Sequence, residues 1–289
     1  MKLNSLYENN ILSNKEEIQE ILNACGYTKK WSIDKNNKIT LHANFKLDTN
    51  LQLFMHSKNI TTLPFKIKRA NEFVVYYASM SDYDFAPLVS STIKFMRIPL
   101  ISPTFDLHIQ YATTLEFRNI DNFEVLNSIN KSEIKYFFIS DCDDLQFINI
   151  NPETIIGSFI NIRNCENLRL ENTKLPNFVK HLDFQNLYNV KTFDKNNTTN
   201  IDRLTISNLS NLISWRNIDK YIIKEHLNIH NTYQLNNFIN VMLLQTGIIT
   251  QNNPNIDFSK YSEIQNRSEY IMDFAVELID AGFPEGAEL

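Results

Sequence analysis

The sequence predicts an α/β repeat solenoid, in which about nine rungs of ~22 residues place their strands in one parallel β-sheet and helices cap both ends. Three observations carry this. A nine-residue pattern recurs along the middle of the chain, its spacing is nearly constant, and helical periodicity is confined to the two ends.

The pattern is clearest in LEFRNIDNF from Leu115, FFISDCDDL from Phe137, INIRNCENL from Ile160, LDFQNLYNV from Leu182, LTISNLSNL from Leu204 and LNIHNTYQL from Leu227. Two apolar residues separated by one position are followed by a polar turn residue and two further apolar positions. Taking the second apolar residue as anchor gives Phe117, Ile139, Ile162, Phe184, Ile206 and Ile229, at intervals of 22, 23, 22, 22 and 23. Backwards extension reaches Phe95, then Tyr77 after a shortened step of 18, then Met55, with Ile33 as a candidate start.

One rung cannot bury its apolar edge, whereas stacking at roughly 4.8 Å makes a continuous core and a parallel sheet. Only five glycines and eight prolines serve the chain, so its turns must be made otherwise. Asn119, Asn164, Asn186, Asn208 and Asn231, with Asp141 in the odd rung, fall at equivalent positions. They read as turn residues bonding the backbone, with the stacking a ladder would need. An apolar alternation turning on Asn or Cys resembles the leucine-rich repeat, most closely at Leu53, Met55, Ile60, Leu63 and Pro64 within LQLFMHSKNITTLPF. Ile and Phe replace most leucines elsewhere, so the resemblance covers architecture over roughly 51–235 and implies no particular activity.

A solenoid needs covers over both end rungs. Ile18, Ile21 and Leu22 share one helical face, after Ser13 and Asn14 as candidate caps, and WSIDKNNKITLHANF then reads as strand, Asn-rich turn and strand. Leu235, Phe238, Ile239, Met242 and Leu243 repeat the helical spacing before Gly247, as do Tyr270, Ile271, Phe274, Leu278 and Ile279 before Gly282. The expected divisions are an amino-terminal cap over 1–50, the solenoid over 51–235 and a helical cap over 236–289. The closing FAVELIDAGFPEGAEL, with the hairpin-then-repeat opening, resembles leucine-rich-repeat-like proteins of large tailed bacteriophages. That resemblance implies an accessory protein inside an infected bacterium, acting against a host or defence factor.

A net charge of −5 provides no basic stripe for phosphate neutralisation, so nucleic acid is not an expected partner. The first residues lack the apolar core of a secretory signal, no stretch approaches eighteen apolar residues, and three cysteines are too few for a disulfide framework. A soluble cytoplasmic protein is expected, without membrane association. No Gly-rich phosphate loop, CxxC, HExxH or GxSxG motif is present, so neither catalysis nor a cofactor is expected. Cys142 and Cys165 occupy the same position in adjacent rungs and read as small core residues before a disulfide or metal pair. His181, His226 and His230 fall on outward positions, with His181 and His226 two rungs apart, roughly 10 Å and too far for shared metal ligation.

Alternate strand residues point to opposite faces, so the residues flanking the anchors face away from the core. Phe54, Tyr76, Met96, Tyr136, Phe138 and Phe159 place large apolar groups there, with Arg118 and Arg163 near the middle. Aromatic residues and Arg dominate protein interfaces, and an exposed apolar patch marks a binding site. These eight residues are the expected partner-binding set of a non-enzymatic protein-interaction module. Self-association through the patch satisfies the same observation, a one-residue slip would turn every aromatic inward, and two other classes stay open: an adaptor or enzyme acting through the carboxy-terminal helices, and a structural or glycan-binding solenoid.

Overall fold

A computed structural model describes residues 16–24, 26–28, 30–34, 38–57, 66–76, 88–99, 103–128, 131–191, 198–212 and 221–230, together with 276 and 280. Helix α1 covers 16–24 and buries Ile18, Ile21 and Leu22. Strands β1 (Trp31–Ile33) and β2 (Lys38–Leu41) follow as an antiparallel hairpin, as the flanking apolar runs imply. Then come β3 (Phe45–Leu47), helix α2 (Thr49–Ser57), β4 (Lys66–Arg69), β5 (Glu72–Tyr76) and the long β6 (Leu88–Pro99).

From β6 onward the chain coils. Strands β6, β8 (Ile109–Asp121), β10 (Glu133–Ser140), β12 (Ile155–Arg163), β13 (Phe178–Gln185), β14 (Thr199–Ser207) and β15 (Tyr221–His230) lie side by side, all parallel. Short strands β7 (Thr104–Leu107), β9 (Val125–Ser128) and β11 (Phe147–Asn149) form a second parallel sheet on the return legs. The protein is thus a parallel-strand β-solenoid with about five turns between β6 and β14. Among the described residues helix is sparse: strands make the return legs, with one 3-10 turn at Leu170–Asn172.

The register follows the repeat. Phe95, Phe117, Ile139, Ile162, Phe184, Ile206 and Ile229 are successive Cα partners across the main sheet, which are the anchors read from the spacing. The rows flanking them place Ile93, Leu115, Phe137, Ile160, Leu182 and Leu204 in the same core. At its amino-terminal end this core is a stack of rings. Tyr27, Phe45, Phe73, Phe95 and Phe117 follow one another at centroid distances of 6.0, 5.5, 6.1 and 5.1 Å. Phe105, from the second sheet, meets Phe95 and Phe117 edge-on at 5.0 and 5.6 Å.

For each of β8, β10, β12, β13 and β14 a left-handed residue sits two positions after the inward anchor: Asn119, Asp141, Asn164, Asn186 and Asn208 all have φ between 51° and 56°. Asn suits this region better than other side chains with a Cβ. The side chains then bond down the stack, with Asn164 donating to Asp141 at 2.7 Å, Asn186 to Asn164 at 2.7 Å and Asn208 to Asn186 at 2.8 Å. A second ladder runs along the other sheet, Asn149 to Asn127 at 3.0 Å and Asn127 to Asp106 at 2.9 Å.

The early rungs differ from expectation. Val75, not Tyr77, pairs with Phe95, and Tyr77 itself lies outside the described residues. Met55 anchors no strand, because Thr49–Ser57 is helical. Asp48 caps that helix, its carboxylate accepting from Leu51 N–H at 3.1 Å, which stabilises the first turn against the strand its alternation suggests. Burial pushes the Asp48 carboxyl up, but the Leu51 amide and Lys46 hold it below its ordinary value. Leu51 then turns inward while Leu53 is 62% exposed. Ile33 belongs to the antiparallel hairpin and is no parallel rung. Asn231 and the helical runs expected after 235 lie outside the described residues, save positions 276 and 280, which are helical.

Two stability measurements follow. Asn186→Gly keeps the left-handed turn but removes two ladder bonds, which costs about 1–3 kcal/mol, and Asn186→Ala costs about 1–2 kcal/mol more because alanine resists that backbone. Denaturant unfolding checks the order, and an alanine variant at least as stable as the glycine one contradicts it. Phe117→Ala, which removes the ring that Phe95 and Phe105 both pack against, is expected to cost about 3–5 kcal/mol by the same assay.

Candidate interaction face

The strand positions between the inward rows make the open face of the main sheet. Tyr76, Met96, Arg118, Ser140 and Arg163 are successive partners along one line across it. The next line, two residues earlier on each strand, runs Val74, Lys94, Glu116, Phe138, Asn161 and Asp183. The facing expected for Tyr76, Met96, Arg118, Tyr136, Phe138, Phe159 and Arg163 therefore holds, with Arg118 and Arg163 exposed and the others half-buried. Phe54 is the exception: it lies on α2, half-buried against the core, and not on the sheet.

Three of the expected residues form a contiguous strip. Tyr136 and Phe138 stack on β10 with centroids 6.5 Å apart, and Phe138 meets Phe159 of β12 at 5.9 Å. The strip continues into His181 of β13, whose ring lies edge-on to Phe159 at 4.7 Å. Lys135 sits 5.1 Å over the Tyr136 ring. The position of His181 before an inward leucine was visible in the sequence, but its part in the strip was not. Ile155 and Phe178, 52% and 41% exposed at the strand starts, add apolar surface that alternation did not reveal. A strand irregularity intervenes in each case, between Ile134 and Tyr136 and between Ile156 and Ile160. Lys224 lies 5.5 Å over the Phe178 ring.

The face changes character across β12 and β13. Before it, charges are paired: Lys94 with Glu116 at 3.2 Å, and Arg118 with Asp141 at 3.4 Å. After it comes a polar cluster around Asp183, which is only 6% exposed although its side chain shares the outward parity of His181 and Gln185. Asp183 Oδ2 accepts from Asn161 Nδ2 at 3.0 Å and from Gln185 Nε2 at 2.6 Å. Oδ1 is buried and has no hydrogen-bond partner. His181 Nε2 lies 3.2 Å from Thr205 Oγ1.

Burial pushes the Asp183 carboxyl above its ordinary value, against the pull of the Asn161 and Gln185 bonds and of the nearby His181 and Arg163 charges. Burial also lowers His181, aided by Arg203 and opposed by Asp183. The two shifts have one origin, the low polarity at the edge of the aromatic strip.

Cys142 and Cys165 are both buried and free, and each donates its thiol at 3.3 Å to a carbonyl two residues earlier, Ser140 and Arg163. The neighbouring Cys142 thiol and burial push the Cys165 thiol well above its ordinary value. That is the chemistry of inert core residues, not of nucleophiles. Among the described residues no three His, Cys, Asp or Glu side chains are grouped to hold a metal, and no helix is long and apolar enough to cross a membrane. The side chains of His226 and His230 lie outside the described residues.

The Asp183 shift has a definite sign. A carboxyl raised in the folded state binds its proton more tightly there than when unfolded, so its protonation stabilises the fold at low pH and that contribution is lost as pH rises above 3.8. Asp183→Asn, which cannot ionise, is expected to melt higher than wild type at neutral pH, the difference shrinking as pH falls towards 3.8. Thermal melts of both proteins from pH 3 to 7 check this, and a pH-independent difference contradicts it. Compared with family models, with curated proteins and with solved structures, the chain matches none of them.

Proposed function

We propose that this protein is a non-enzymatic interaction module that docks a protein partner on the open face of its main sheet. The observation that carries the reading is the strip Tyr136, Phe138, Phe159 and His181. Adjacent aromatic groups on a rigid sheet lose little conformational freedom on binding and have the composition of interface hot spots. Tyr76, Met96, Arg118 and Arg163 extend the same face as its margin, and Phe54 has no part in it.

The finer architecture belongs to the same reading: a leucine-rich-repeat-like coil of about nine rungs, closed at both ends by helical elements. In this account it is an accessory protein of a large tailed bacteriophage, which binds a host or defence protein in the bacterial cytoplasm and blocks it by occupancy. The phage-like ending FAVELIDAGFPEGAEL supports that setting.

The test is an affinity pull-down from bacterial lysate with wild type beside a Tyr136→Ala, Phe138→Ala, Phe159→Ala variant shown to be folded. One protein retained by wild type and reduced at least tenfold by the variant is the expected result, about 1.4 kcal/mol or more of lost affinity. Equal recovery overturns the face assignment and moves attention to the carboxy-terminal region. Recovery of the chain itself, or of polysaccharide, replaces the foreign protein with a second copy or a glycan.

A further inference from the structure

The open face holds a buried acceptor that the fold leaves unused. Asp183 is more than nine-tenths buried, points to the outward side of β13, and has Oδ2 saturated by Asn161 and Gln185 while Oδ1 accepts nothing. A buried polar atom without a partner destabilises the fold, and a ligand that supplies the partner recovers that cost on binding.

The surroundings restrict what the ligand can be. The Arg163 guanidinium already acts electrostatically on Asp183 and that of Arg203 on His181, so an incoming cation meets a fixed positive charge from each arginine. What Asp183 lacks is a hydrogen-bond donor, not a counter-charge. Only one oxygen is free, which suits a single N–H or O–H and leaves a forked guanidinium half unmatched. Beside the carboxylate stands the edge-to-face pair of Phe159 and His181, with Phe138 next along the strip, so the group carrying the donor meets rings.

We infer that Asp183, with Phe159 and His181 beside it, forms a subsite for an aromatic side chain that carries one neutral donor, an indole or a phenol of the partner protein. This rests on the docking face proposed above and names the group which that face selects. The ring packs against the end of the aromatic strip and its N–H or O–H donates to Oδ1. Because Oδ1 is shielded from water in the free protein, the donor reaches it only as the side chains around Asp183 give way.

The experiment is an NMR titration of the full chain with indole and, separately, with 1-methylindole, which keeps the ring and lacks the donor. Wild type is expected to bind indole about tenfold more tightly, the difference of one charge-assisted hydrogen bond, with shifts centred on β12 and β13. Asp183→Asn is the matched variant: its carbonyl still accepts from Asn161 and Gln185, while its amide turns the free atom from acceptor to donor. It should bind the two probes equally. Equal binding to wild type, or no saturable binding of either probe, overturns the inference. Butylammonium or methyl glucoside shifting these resonances while indole does not also overturns it, in favour of a cation or a sugar. The two readings fail separately. Probe discrimination at Asp183 with an unaffected pull-down sinks the docking face alone, whereas a partner lost with the strip but no discrimination sinks the subsite alone.

Discussion

Strands β6, β8, β10, β12, β13 and β14 each carry at least two inward apolar residues that one strand cannot bury by itself, and the structure depends on stacking the next strand in register to bury them. Phe117 lies over Phe95 and under Ile139 because the chain takes 22 residues to come round, and each later turn repeats the arrangement within one residue. The closed path needs a sharp reversal at the same place each time. Asn in a left-handed conformation makes that reversal and, once the turns are stacked, bonds to the Asn before it. Core and ladder thus enforce one register from opposite sides of the strand end, so a slip in one is resisted by the other.

A coil built this way buries one side of its sheet and leaves the other free of folding duties. The inward rows are nearly all Ile, Leu and Phe, whereas the outward rows change from paired charges on β6 and β8 to rings on β10 and β12 and then to the polar cluster around Asp183. Packing does not require that change. It places a strip of rings beside a carboxylate with an unused acceptor, at the point where β12 gives way to β13. The cost of an unsatisfied buried oxygen is borne by a scaffold whose core and ladders are continuous on both sides, which is where strain of functional origin is tolerated.

The regular rungs were legible because their signal is local: two apolar residues, one gap, then Asn. Facing was legible too, since it follows from parity, and Tyr76 kept its side even though the anchor read beside it was Tyr77 and the true one is Val75. Leu53 and Met55 misled because a helix capped by Asp48 and a strand share a short alternation, and only the cap distinguishes them. Within the face, Tyr136, Phe138 and Phe159 could be placed from sequence. Asp183 could not, because its cluster joins Asn161, 22 positions back on another strand, to Gln185 on its own, a pairing that only the stacked register reveals. Ile155 and Phe178 escaped notice for a related reason: strand irregularities separate them from the anchors, and parity counted across an irregularity fails.

The in-register stack is the claim on which the face, its strip and Asp183 all rest, and a distance across it tests the stack directly. Met96 and Ser207 are joined by five successive pairings, through Arg118, Ser140, Arg163 and Gln185. Spin labels at Met96→Cys and Ser207→Cys, in a chain whose three native cysteines are replaced by alanine, should give one narrow distance distribution by pulsed electron resonance. The backbone separation expected is about 24 Å, five strand spacings of roughly 4.8 Å, to which the label arms add several ångströms. A mean beyond about 40 Å, or a distribution without a single peak, would contradict the stacked register and everything built on it.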